Sequence, residues 1–84
     1  PKSLSGKEIY YLTRNMIAIL LFLEGKQVGW EKIEDEIEKI FKIKPEKIKE
    51  KVFDEKIFAR RYKEIYNKTS NLILKNASKQ KQAY

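Results

Sequence analysis

The residues best placed to do chemistry are cations. Lys56, Arg60, Lys63 and Asn67 recur at intervals of four, three and four, which stacks them along one face of a helix. Arg61, Lys68 and Lys75 form a second row beside them at seven-residue spacing. Earlier in the chain, Lys44, Lys47 and Lys51 share a face in the same way. Such side chains hold anionic oxygens: an arginine fork donates two N–H groups to one phosphate, and a lysine acts as a point charge. Arg60 and Arg61 are therefore the candidates for bidentate phosphate contact. Rows of this kind also cover ordinary solvated helices, so the distribution of charge matters more than its amount. The net charge is +7, yet residues 30–41 carry −3 while residues 42–53 and 54–84 carry +3 and +5. A uniform lysine bias would not leave one segment acidic between basic ones. The asymmetry points to a polyanionic partner for one end of the molecule.

Catalytic chemistry has little to work with. The chain contains no cysteine and no histidine, which removes the thiolate nucleophile, the commonest general base and the commonest metal ligands. Its three glycines are scattered at positions 6, 25 and 29, so no phosphate-cradling loop exists. Glu31, Asp35 and Glu38 align at i, i+4 and i+7, a spacing able to hold a divalent cation. They lie opposite Ile33, Ile37 and Ile40, however, and read as a solvated face. No catalytic residue, metal site, cofactor or small-molecule substrate is expected, and the chain is not expected to be an enzyme.

Four helical segments must position these side chains. Ser5-Gly6-Lys7-Glu8 fits a capping box, and Gly25 supplies a left-handed stop, which predicts helix 1 over 5–24. Ile9, Leu12, Met16, Ile19 and Leu23 make one apolar face, while Ile17, Leu20, Leu21 and Phe22 fill much of the rest. A helix apolar nearly all round is either the centre of the fold or partly covered by a partner. Trp30, Ile33, Ile37, Ile40 and Phe41 predict an amphipathic helix 2 over 30–41, with Glu31, Glu34, Asp35, Glu36 and Glu38 outside. Pro45 opens helix 3, over 45–53, burying Ile48 and Val52. Asp54 caps helix 4, over 55–76, whose inner face carries Phe58, Tyr62, Ile65, Thr69, Leu72 and Ile73; one continuous rod of helices 3 and 4 is the alternative, since Asp54 is a permissive rather than an obligatory break. Residues 77–84 read as a flexible basic tail.

The fold class is all-α, a small single domain of three or four helices around an apolar first helix. The order of helix 2, the turn at 42–44 and basic helix 3 is that of a helix-turn-helix-like element over residues 30–53. Against base reading stand the glycine-free turn, the shortness of helix 3 and its lack of arginine, asparagine and glutamine. The longest apolar run, Met16–Leu23, is eight residues, far below a membrane span, so a soluble, cytoplasmic protein is expected. Lysine and glutamate enrichment points toward a thermophile, a bias that an AT-rich genome would also produce.

Two functions follow. The first is non-enzymatic, largely sequence-independent binding of DNA or RNA through the phosphate backbone, using Lys44, Lys47, Lys51, Lys56, Arg60, Arg61, Lys63, Lys68 and Lys75. The second is an accessory subunit of a larger assembly, such as a polymerase or ribonucleoprotein, or a homodimer. It would dock through Met16, Leu20, Leu21 and Phe22 of helix 1. Exposed aromatics, Tyr11 and Tyr66 foremost, are a weaker candidate for base stacking.

Overall fold

The computed structural model describes the backbone of residues 4–82 and the side chains of residues 4–77. Its order is α1 (Gly6–Leu23), α2 (Trp30–Phe41), α3 (Pro45–Lys49) and α4 (Glu55–Gln82), with no strand among the described residues. The local signals at both ends of α1 act as expected. The Ser5 hydroxyl accepts from the Glu8 N–H at 3.2 Å, and the Glu8 carboxylate accepts from the Ser5 N–H at 3.0 Å. Those bonds hold the Glu8 carboxyl below the usual glutamate range. At the other end Gly25 adopts φ 73°, and the Lys26 and Gly25 N–H groups donate to the Leu21 and Phe22 carbonyls, closing a Schellman motif.

Helix α1 is the centre of the fold and packs against each of the other three. Its buried face is not the stripe that periodicity suggests. Tyr10, Thr13, Met16, Ile17, Leu20 and Leu21 are buried, whereas Leu12, Ile19 and Phe22 are exposed. Two polar side chains can occupy that core because each has a partner. The Thr13 hydroxyl donates to the Ile9 carbonyl at 2.7 Å, and the Tyr10 hydroxyl donates to Glu34 at 3.1 Å. Burial, with the Glu34 carboxylate as a second cause, raises the Tyr10 pKa above its ordinary value near 10. Glu34 thus belongs to the α1–α2 contact rather than to the outer acidic face.

Ile33, Ile37 and Phe41 of α2, Ile48 of α3 and Phe58 of α4 complete the core. Trp30, expected in the α2 stripe, is 59% exposed, because it stands at the first position of α2 against Arg14 rather than over the core.

The α3 segment is shorter than its expected span of 45–53. It ends at Lys49, Lys51 turns into the left-handed region at φ 59°, and the Val52 N–H closes back on the Lys47 carbonyl. Val52 is consequently exposed, not buried. Asp54 then caps α4 through Oδ1, accepting from the N–H groups of Lys56 and Ile57 at 3.0 and 3.1 Å. Helices 3 and 4 are therefore separate. Helix α4 continues six residues beyond the expected end, to Gln82, so the backbone there is helical rather than a loose tail. The backbone of residues 83–84 and the side chains of 78–84 lie outside the described residues.

Candidate functional site

Helix α4 is oriented by its aromatic inner edge. Phe58 stacks on Phe41 with centroids 4.6 Å apart, and Phe53 lies at the same distance from Phe58. Thr69 is buried with its hydroxyl returned to the Ile65 carbonyl at 2.8 Å, while Tyr62, Ile65 and Leu72 pack against the core. Ile73, expected on this inner face, is half exposed, lying beyond Lys68, which already meets Glu24 at the end of α1. With Phe58 and Thr69 inward, Lys56, Arg60, Lys63 and Asn67 lie outward, and all four are exposed. Among the described residues the three cations of that row take part in no ion pair within 4 Å.

The other candidate cations divide sharply. Arg61 sits at the flank of α4 and donates from a guanidinium nitrogen to the Phe41 carbonyl at 2.6 Å. That carbonyl needs an outside donor, because α2 ends there and the residue four positions on is Pro45, which has no N–H. Lys68 lies 3.3 Å from Glu24, which also receives Lys26 at 3.5 Å, so it ties α4 to the end of α1. Lys51 donates to the Leu4 carbonyl at 3.0 Å and stands 3.9 Å from Glu55. Lys44, Lys47 and Lys75 are exposed and are in no ion pair among the described residues. Three of the nine expected phosphate contacts are thus engaged by the protein's own oxygens.

Nor do the two basic helices form one packed unit. Helices α3 and α4 each pack on α1 and α2 but not on each other. The helix-turn-helix-like arrangement is also reduced. At 1.5 Å per residue, five residues make a rod of only about 7.5 Å, too short to lie along a groove and present several side chains.

The docking residues expected on α1 fare differently again. Met16, Leu20 and Leu21 are buried in the domain's own core, and only Phe22, 73% exposed, stands free. Their apolar surface is consumed by α2, α3 and α4, so they offer no face to a partner.

The fold also assembles a surface cluster that spacing alone does not reveal. The Arg14 guanidinium lies 4.9 Å from the ring centres of both Tyr11 and Trp30 and donates to Asn15 Oδ1. Tyr11 precedes Arg14 by three residues and is visible as a helical neighbour, but Trp30 arrives only through the α1–α2 packing. On the acidic helix, Glu31, Asp35 and Glu38 are exposed, and no group of three acidic side chains among the described residues converges on a cation position. No helix among those residues is long and apolar enough to cross a membrane. No protein-family model, curated protein or solved structure matches the chain.

Proposed function

We propose that this chain is a non-enzymatic binding protein that holds the phosphate backbone of a nucleic acid along the outer face of α4. The observation that carries the reading is the row Lys56–Arg60–Lys63, exposed and in no ion pair among the described residues, while five of the chain's twelve acidic residues fall on α2. Lys56 and Lys63 are about 10 Å apart along the helix at 1.5 Å per residue. A duplex carries one charge per about 1.7 Å of its axis, so a row of this length meets several phosphates.

Two of the three cations in the row are lysines, which carry charge without the planar fork that reads base edges, so binding is largely independent of sequence. Arg60 is the bidentate phosphate ligand. Arg61 acts on the protein itself. It closes the end of α2 and positions α4, a role supported by its bond to the Phe41 carbonyl.

The test is a fluorescence-anisotropy titration of labelled duplex and single-stranded oligonucleotides at several salt concentrations. Each neutralised phosphate contributes a slope of about −0.9 in log affinity against log salt on a duplex. The three cations of the α4 row therefore predict a slope of about −3. Arg60→Glu combined with Lys63→Glu should remove binding and leave the helical circular dichroism intact, since neither side chain contributes to the core. Affinity that ignores salt, or that survives the double reversal, removes α4 from the function.

A further inference from the structure

A second basic surface lies where α1 meets α2 and α3, and it differs from the α4 row in carrying aromatic rings. Lys7, Tyr11 and Arg14 stand at i, i+4 and i+7 and so share one face of α1. Packing brings two further side chains to that face. Trp30 arrives from the start of α2, with the Arg14 guanidinium 4.9 Å from its ring centre and from that of Tyr11. Lys49 arrives from the end of α3 and lies 4.4 Å from the ring centre of Tyr10, which meets Tyr11 edge-on at 5.7 Å.

Tyr11 and Trp30 do not fill the core. They are 50% and 59% exposed, so the guanidinium that fixes their positions leaves at least half of each open to solvent. Beside Trp30 the 27–32 segment borders an open recess of about 620 Å³, room for a planar group to lie against the indole. Lys7 and Lys49 are exposed, and neither they nor Arg14 take part in an ion pair among the described residues. Two carboxylates are close: Glu34 accepts the Tyr10 hydroxyl, and Glu31 follows Trp30 in the chain. Three cations outnumber them, and Arg14 Nε and Nη2 donate to Asn15 Oδ1 rather than to either acid.

We infer that Tyr11 and Trp30 stack unpaired bases of a single-stranded nucleic acid, with Lys7, Arg14 and Lys49 meeting the phosphates beside them. A ligand cation is disfavoured, because Arg14 already lies against both rings. An apolar protein surface would have to desolvate three cations without supplying a counter-charge. A duplex keeps the π-faces of its bases inside its own stack. An unpaired strand offers a π-face and a phosphate together, the combination that aromatic rings among cations accept. The inference rests on the phosphate-binding reading for its class of ligand and deepens it: the α4 row serves duplex and single strand alike, and the aromatic corner adds a preference for the single strand.

Trp30 is the chain's only tryptophan, so its emission reports this surface directly. The full chain is titrated with a single-stranded oligothymidylate, a duplex of the same length and an abasic single strand that keeps the phosphates without the bases. The oligothymidylate should quench Trp30, whereas the duplex and the abasic strand should bind, by the anisotropy of a label on the nucleic acid, and leave the emission little changed. Trp30→Ala or Tyr11→Ala should weaken single-strand binding roughly five- to 150-fold, the range that loss of one stacked base gives, with duplex affinity and helical circular dichroism unchanged. Trp30→Phe should restore most of the loss. Equal affinity for oligothymidylate and abasic strand, or bound oligothymidylate that leaves the emission unmoved, overturns the stacking and leaves the α4 reading intact. Quenching and base dependence that survive Arg60→Glu with Lys63→Glu remove α4 and leave the stacking standing. Emission that shifts with protein concentration alone, alongside a doubled sedimentation mass, assigns the surface to a second copy and overturns the inference.

Discussion

Replacing Gly6 by alanine should destabilise the protein, although the same change in most helices is favourable. Alanine exceeds glycine in helix propensity by about 1 kcal/mol in a helix interior, and Gly6 occupies the first helical position, where the gain is smaller. Against this stands the crossing of α1 over the last turn of α3. A Cβ at residue 6 would overlap the Lys49 carbonyl oxygen, and it would lie 2.6 Å from the Lys49 carbonyl carbon and 2.8 Å from the Ile48 oxygen. The obstacle is backbone, so no rotamer change relieves it, and α3 must retreat from α1. Retreat lifts Ile48, which has no exposed surface, out of the core. Overpacking of this kind costs about 1–3 kcal/mol, more than the propensity gain returns. A net loss of about 1–2 kcal/mol lowers Tm by roughly 5–15 °C in a domain of this size. Thermal unfolding followed by circular dichroism measures it, with Lys7→Ala, an exposed change in the same turn, as the control expected to move stability by less than about 0.5 kcal/mol. An unchanged or raised Tm for Gly6→Ala would refute the reasoning, because it would mean that α3 does not rest on the α1 backbone.

Two other side chains yield distinct tests. Arg61→Ala should cost about 1–3 kcal/mol in urea unfolding, since it strands the Phe41 carbonyl beside a residue with no exposed surface; a midpoint equal to that of the parent would show that the bond is dispensable. Arg60→Ala, by contrast, should leave that midpoint unchanged while reducing the salt slope of oligonucleotide binding by about one. The raised pKa of Tyr10 makes the unfolded chain lose this proton before the folded one does. Its contribution is fully present below pH 10 and is lost as pH rises through the higher folded value. Tyr10→Phe should flatten that alkaline decline and, by deleting the bond to Glu34, cost about 0.5–1.5 kcal/mol near neutral pH. Parallel declines above pH 10 in the two proteins would contradict the assignment.

Much of the local structure is legible in the chain because its causes lie within a few residues of one another. The Ser5–Glu8 box, the Gly25 stop, the Asp54 cap and the helix start at Pro45 each depend on a side chain or ring meeting the backbone of its own turn. The outward direction of Lys56, Arg60 and Lys63 is also readable, since Phe58, Tyr62, Ile65 and Thr69 define an unambiguous inner side. Where apolar residues surround a helix, the same logic loses its grip. For α1, periodicity chose the Leu12–Ile19 stripe, and packing chose the Tyr10–Thr13–Ile17 face, because an apolar pattern nearly all round leaves the orientation to how the other helices fit against it and to partners such as Glu34.

Fold class, the broad helix order and the segregation of charge follow from composition and short-range spacing alone. Which cations are available to a partner depends on the tertiary structure. Arg60 and Arg61 are neighbours in the chain with the same chemistry, yet one faces solvent and the other closes the carbonyl end of α2. The meeting of Arg14 with Trp30 and the close approach of Gly6 to α3 arise in the same manner. Each depends on the relative placement of helices distant in sequence, and that placement is set by how their surfaces interlock, a property no single segment contains.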